Sequence, residues 1–170
     1  MKYWIGAAIV VAIVLALYFR GSNPHGAGPQ ALAGRPAASF TVPDVNGHKS
    51  DLNAYRGRIV VLNLWASWCP PCRAEMPDLQ RLYGAYRDRG VVVIGVDQGE
   101  SAERAASFAQ ALSIRYPIWV DDDQQYGRVY AALGLPTTFV IDRNGVVSQG
   151  FDGPLSYPQM TQALAPLLKS

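Results

Sequence analysis

The sequence has little cysteine, little charge and little histidine. Its two cysteines, Cys69 and Cys72, stand three positions apart. A small fold stapled by structural disulfides needs more cysteines at wider spacings, closing longer loops, so that class is excluded. Charged residues are 16% of the chain. Of its fifteen basic residues, Lys2 and Arg20 precede Gly34; the thirteen that remain face thirteen acids. A neutral portion with no Lys/Arg cluster offers no electrostatic grip on nucleic acid. Histidine occurs at positions 25 and 48 only, and none follows Cys72. A zinc site around the two cysteines would therefore lack its remaining ligands. Asp121, Asp122 and Asp123 have no further carboxylates at a metal-loop spacing, and are expected as a solvated turn before a helix rather than a cation site. No metal and no cofactor is expected.

What the sequence does hold is apolar residue, 49% of the chain, part of it gathered at the start. Residues 1–20 contain an uncharged run, Tyr3 to Phe19, bounded by Lys2 and Arg20. Seventeen residues reach the short end of what spans a bilayer. Tyr3, Trp4, Tyr18 and Phe19 place aromatic rings at both ends, as interfacial anchors do. A cleaved signal peptide is the alternative, but its A-x-A-like site, Ala31-Leu32-Ala33, lies far downstream of the apolar run. The expectation is one N-terminal transmembrane anchor over 1–20. Residues 21–38, rich in Gly, Pro and Ala, are expected as a flexible linker, and 39–170 as the folded domain.

Within that domain, Phe40-Thr41-Val42 and the stretch after Asn46-Gly47 read as short strands around a turn. Ile59 to Trp65 and Val91 to Val96 read as buried strands, with a helix over Pro70 to Arg89 between them. Helices are expected at Ser101 to Leu112 and Gln124 to Leu133. A hairpin at Thr138 to Asp142 and Val146 to Gly150 follows, then a closing helix from Ser156 to Leu168. Strands alternating with helices, ending in a hairpin and a helix, predict an α/β fold with a mixed central sheet flanked by helices.

The chemistry concentrates in Trp65-Ala66-Ser67-Trp68-Cys69-Pro70-Pro71-Cys72, directly after a buried strand and opening a helix. Free backbone N–H groups and the positive dipole end at a helix start favour a thiolate at Cys69. Cys72, one turn in, is near enough to form a disulfide with it. Pro70 and Pro71 occupy first-turn positions, where a missing N–H costs little. A structural disulfide over so short a loop would stabilise little. The pattern therefore points to a redox-active Cys-x-x-Cys.

This segment resembles the active site of the thioredoxin superfamily, and more narrowly its TlpA/ResA-like membrane-anchored branch. The resemblance runs from about Phe40 to the C-terminus. It includes the opening Phe40, Val42, Asp44 and Gly47, then Leu52 and Gly57, and Pro77 inside the active-site helix. Leu135-Pro136-Thr137-Thr138 resembles the family's cis-proline loop beside the disulfide. The resemblance implies that Cys69 attacks, Cys72 resolves, and Trp68, Pro70, Leu135 and Pro136 meet the substrate. Cytoplasmic thioredoxins carry a buried aspartate where Asn63 stands here, so another group must assist Cys72. Glu75, one helical turn on, resembles a glutamate of the ResA-like reductases and is the candidate proton relay; a surface carboxylate held by the helix dipole is the other reading.

Both residues between the cysteines are prolines without an N–H, and no histidine sits beside Cys69. Weak thiolate stabilisation implies a reductant rather than an oxidant. The branch further implies protein disulfide substrates such as apocytochrome c, an integral membrane thiol electron donor, and a catalytic domain on the extracytoplasmic, periplasmic side of the cell membrane. Thiol peroxidases share the entry hairpin, but use one peroxidatic cysteine with a threonine upstream. Thioredoxin-fold copper chaperones need a wider cysteine spacing and a distal histidine.

Overall fold

The computed structural model describes residues 28–169. The anchor expected over 1–20, His25 and the first part of the expected linker lie outside them. Among the described residues no helix is long and apolar enough to cross a membrane.

A five-stranded mixed sheet carries the fold. Its strands are β3 (Ile59–Trp65), β4 (Val91–Gln98), β5 (Ile118–Asp121), β6 (Thr137–Ile141) and β7 (Val147–Asp152), in the order β5-β4-β3-β6-β7. β3, β4 and β5 run parallel, whereas β6 pairs antiparallel with β3, and β7 antiparallel with β6 at the edge. A separate short hairpin, β1 (Val42–Pro43) and β2 (Lys49–Ser50), closes around Asn46-Gly47. The helices are α1 (Pro70–Tyr86), α2 (Ala102–Ala111), α3 (Gln125–Val129) and α4 (Tyr157–Leu164).

The central strands are buried along their whole length and mostly apolar, because both of their faces are covered; Asn63, Asp97 and Gln98 are their polar exceptions. Alternate residues of β3 go to opposite sides: Ile59, Val61 and Trp65 join α1, α2 and α4, while Val60, Leu62 and Leu64 join α3 and the β1 hairpin. β3 is the middle strand of the sheet, so its C-terminal end delivers the following turn to the centre of the sheet's edge.

The helix expected over Gln124 to Leu133 is shorter, Gln125–Val129, and two further stretches differ in kind from the sequence expectation. From Gly28 the stretch expected as linker is packed on the sheet rather than free. Pro29 is buried, Gly34 N–H donates to the Val147 carbonyl at 2.8 Å, and Ala37 N–H donates to Gly145 at 2.9 Å. The contacts are made by backbone, which composition does not reveal. A Cβ on Gly150 would lie 2.4 Å from the Pro29 carbonyl oxygen. Gly150→Ala is therefore expected to cost about 1–3 kcal/mol by overpacking. It should also speed hydrogen exchange at Gly34 and Ala37, and unchanged exchange would contradict this seating.

The second difference is β5, absent from the sequence reading. Its last residue, Asp121, is fully buried rather than part of a solvated turn. The Asp121 carboxylate accepts from Gln125 N–H (2.9 Å), Tyr126 N–H (2.8 Å) and Gln98 Nε2 (2.9 Å), and so caps α3 from below. Asp122 and Asp123 are exposed as expected.

Candidate active site

Cys69 is the N-cap of α1, and its Sγ accepts the Cys72 N–H at 3.2 Å. Neither Pro70 nor Pro71 has an N–H to add. The sulfur thus takes the place of the oxygen that ordinarily caps a helix start. A disulfide bond joins Cys69 to Cys72. Both are buried, Cys72 the more deeply, beneath exposed Trp68, Pro70 and Pro71. Pro77 lies inside α1 and leaves the Arg73 carbonyl without its helical partner.

The two tryptophans of the motif separate. Trp65 is fully buried and stacks on Phe108 with ring centroids 5.6 Å apart, and the Arg73 guanidinium lies over that same ring. Trp68 is 64% exposed and overhangs a groove of about 320 Å³ that also takes in Gln98, Arg128, Leu133 and Leu135. Leu133, an exposed apolar residue at 77%, was not singled out by the sequence; only its place beside Trp68 distinguishes it.

The Leu135–Pro136 bond is cis. Pro136 is itself buried, and its carbonyl already accepts the Gly153 N–H at 2.9 Å. Of the two residues expected to meet substrate in this loop, Leu135 is the one that lines the groove. Pro70, on the other side, is exposed at the helix start.

Behind the disulfide, Glu75 is only 3% exposed, which excludes a surface carboxylate. Asn63 Nδ2 donates to Thr138 Oγ1 at 2.9 Å, and that hydroxyl faces Glu75 Oε1 at 3.4 Å. Asn63, Thr138 and Glu75 thus form one buried polar chain from β3 through β6 to α1. Burial pushes the Glu75 carboxyl up to about 8; hydrogen bonding from the Leu155 backbone and Thr138 offsets only part of that. Glu75 therefore holds most of its proton at pH 7 and ionises close to the pH at which a free thiol does.

A buried strand end, a sulfur-capped helix start, a closed Cys-x-x-Cys disulfide and a cis-proline loop define a thioredoxin-fold thiol–disulfide oxidoreductase. The chain belongs to the AhpC/TSA family, which it matches over residues 33–149. It is 39% identical over 123 residues to the thiol-disulfide oxidoreductase ResA of Geobacillus kaustophilus, covering 72% of this chain and 71% of that one. Against ResA of Halalkalibacterium halodurans it is 31% identical over 169 residues, 99% of this chain and 96% of the other. The crystal structure of a putative thiol:disulfide interchange protein DsbE from Chlorobium tepidum superposes with a TM-score of 0.75 at 30% identity, covering 80% of this chain and 97% of that chain.

Proposed function

We propose that this oxidoreductase works as a disulfide reductase outside the cytoplasm, on protein disulfides such as that of apocytochrome c. The observation that carries the direction is the hydrogen bonding at Cys69 Sγ, where among the described residues the one amide that reaches it belongs to Cys72, because Pro70 and Pro71 have none. A thiolate with so little support makes the dithiol a good electron donor. The run Tyr3 to Phe19 anchors the chain in the cell membrane, with the folded domain on the periplasmic side. An integral membrane thiol protein returns electrons to the Cys69–Cys72 disulfide after each turnover.

In the cycle, the Cys69 thiolate attacks one sulfur of the substrate disulfide, forming a mixed disulfide and releasing the other as thiolate. Glu75 in its ionised form, the minor one at pH 7 and a growing one toward about pH 8, takes the Cys72 proton, and the Cys72 thiolate then attacks Cys69 Sγ and frees the second substrate thiolate. The test is to mix the fully reduced chain with an oxidised Cys-x-x-Cys-His peptide and follow thiol release. Stoichiometric reduction of the peptide is expected. A reduced chain that leaves the peptide oxidised, while its disulfide form oxidises peptide dithiols, would reverse the assignment.

A further inference from the structure

A second polar cluster holds the turn that presents Cys69. Glu100, in the loop between β4 and α2, accepts Ser67 N–H through Oε2 at 2.5 Å and Ser67 Oγ–H through Oε1 at 2.7 Å. Arg104 Nε bridges the same two groups, at 2.8 Å to Glu100 and 3.0 Å to Ser67 Oγ. Ser67 is two residues from Cys69, whose own N–H closes the turn onto the Ala66 carbonyl. The Glu100 carboxylate is thus fastened to the backbone that carries the attacking sulfur.

Beneath it sits Asp97, fully buried at the end of β4. One oxygen, Oδ1, accepts the Glu100 N–H at 3.0 Å; the other, Oδ2, meets no N–H or O–H donor among the described residues. The two carboxyl groups lie within hydrogen-bond reach of each other. As two carboxylates they would repel and leave Oδ2 buried without a donor, whereas one proton on Asp97 lets it donate to Glu100 and relieves both. The charged groups facing Asp97 are Glu100 and Arg104; its strand neighbours in register are Trp65 on β3 and Val120 on β5, neither of which titrates. Consistent with this, burial and then Glu100 hold the Asp97 proton up to about 8, while Ser67, Asp97 and Arg104 outweigh burial at Glu100 and keep it ionised.

We propose that Asp97 and Glu100 are positioning residues that share one proton to latch the Ser67 turn, and that losing this proton loosens the latch and makes the Cys69–Cys72 couple more reducing. The direction follows from charge: a second carboxylate beside the turn disfavours the Cys69 thiolate in the reduced form. The inference rests on Cys69 as the attacking sulfur.

The test is the equilibrium constant of the full-length chain with glutathione between pH 6.5 and 9. Glu75 titrates in the same range, so every chain carries Glu75→Gln. Adding Asp97→Asn should leave the constant unchanged at pH 6.5, where Asp97 is already neutral. By pH 9 the chain that retains Asp97 should be more reducing than the Asn variant by roughly threefold or more. Glu100→Gln keeps an oxygen for the Ser67 amide but removes the neighbouring charge, and should move the inflection to lower pH. A ratio that stays constant across the range would mean that the cluster is merely structural, and would overturn the latch alone. A chain that exchanges with glutathione at no pH would overturn both the latch and the role of Cys69.

Discussion

Cys72→Ser is expected to accumulate as a covalent adduct with its substrate, while Cys69→Ser turns nothing over. The asymmetry comes from where α1 places the two sulfurs. Cys69 is the helix cap, at the end of the exposed Trp68 turn, and its Sγ faces the Cys72 N–H and the positive end of the helix. Cys72 lies inside the first turn, 1% exposed, beneath Pro70 and Pro71. An incoming disulfide meets Cys69 first, and the resolving attack comes from below. Serine at position 69 has no accessible alkoxide near neutral pH, so exchange should fall to background. Serine at position 72 leaves the first attack intact and removes the second. Non-reducing electrophoresis after incubation with a protein disulfide separates the outcomes. Turnover surviving in Cys69→Ser would contradict the assignment of roles.

Glu75→Gln should make the protein more stable above neutral pH and slower at resolving its mixed disulfide. In the unfolded chain Glu75 ionises near its ordinary value of 4.5, whereas in the fold burial holds the proton until about pH 8. Between those values the unfolded state binds fewer protons, so stability falls as pH rises. Below pH 4.5 both states are protonated and the penalty vanishes; above about pH 8 it is complete. Glutamine escapes it. The variant should match wild type near pH 4, gain through pH 5–8, and level off with an advantage of up to about 4 kcal/mol. In melting temperature that is on the order of 10 °C. Asp97 imposes a similar pH dependence but is present in both proteins, so the difference isolates Glu75. Resolution should slow about tenfold or more, because a neutral amide cannot take the Cys72 proton. Superimposable melting curves at pH 8.5 and identical rate profiles would remove Glu75 from the mechanism.

Much of the centre of this site was legible because its signals are local. Seven apolar-dominated residues ending in tryptophan gave β3 with its bounds, and Cys-Pro-Pro-Cys directly after it gave the start of α1. Glu75 was legible by helical spacing, although its burial depends on Thr138 from β6 and Leu155 beyond β7. What was not legible joins distant stretches. β5 is four residues long between Pro117 and two exposed aspartates, too short for periodicity to register, so Asp121 read as solvent-facing. Glu100 reaches Ser67 only because Trp65 pairs with Asp97 across β3 and β4, and a single sequence does not state that register. The Gly28–Ala38 stretch has a linker's composition, yet its backbone finds partners on β7 and the turn before it.

The most direct test of the account is the midpoint potential of the Cys69–Cys72 couple in the full-length chain, measured against a thiol buffer at pH 7. A dithiol whose attacking sulfur receives one amide N–H, with two prolines behind it, should sit near or below about −220 mV, toward the thioredoxin range. A value near about −120 mV, in the range of the strong periplasmic oxidant, would make this protein a disulfide donor and contradict the reductase reading.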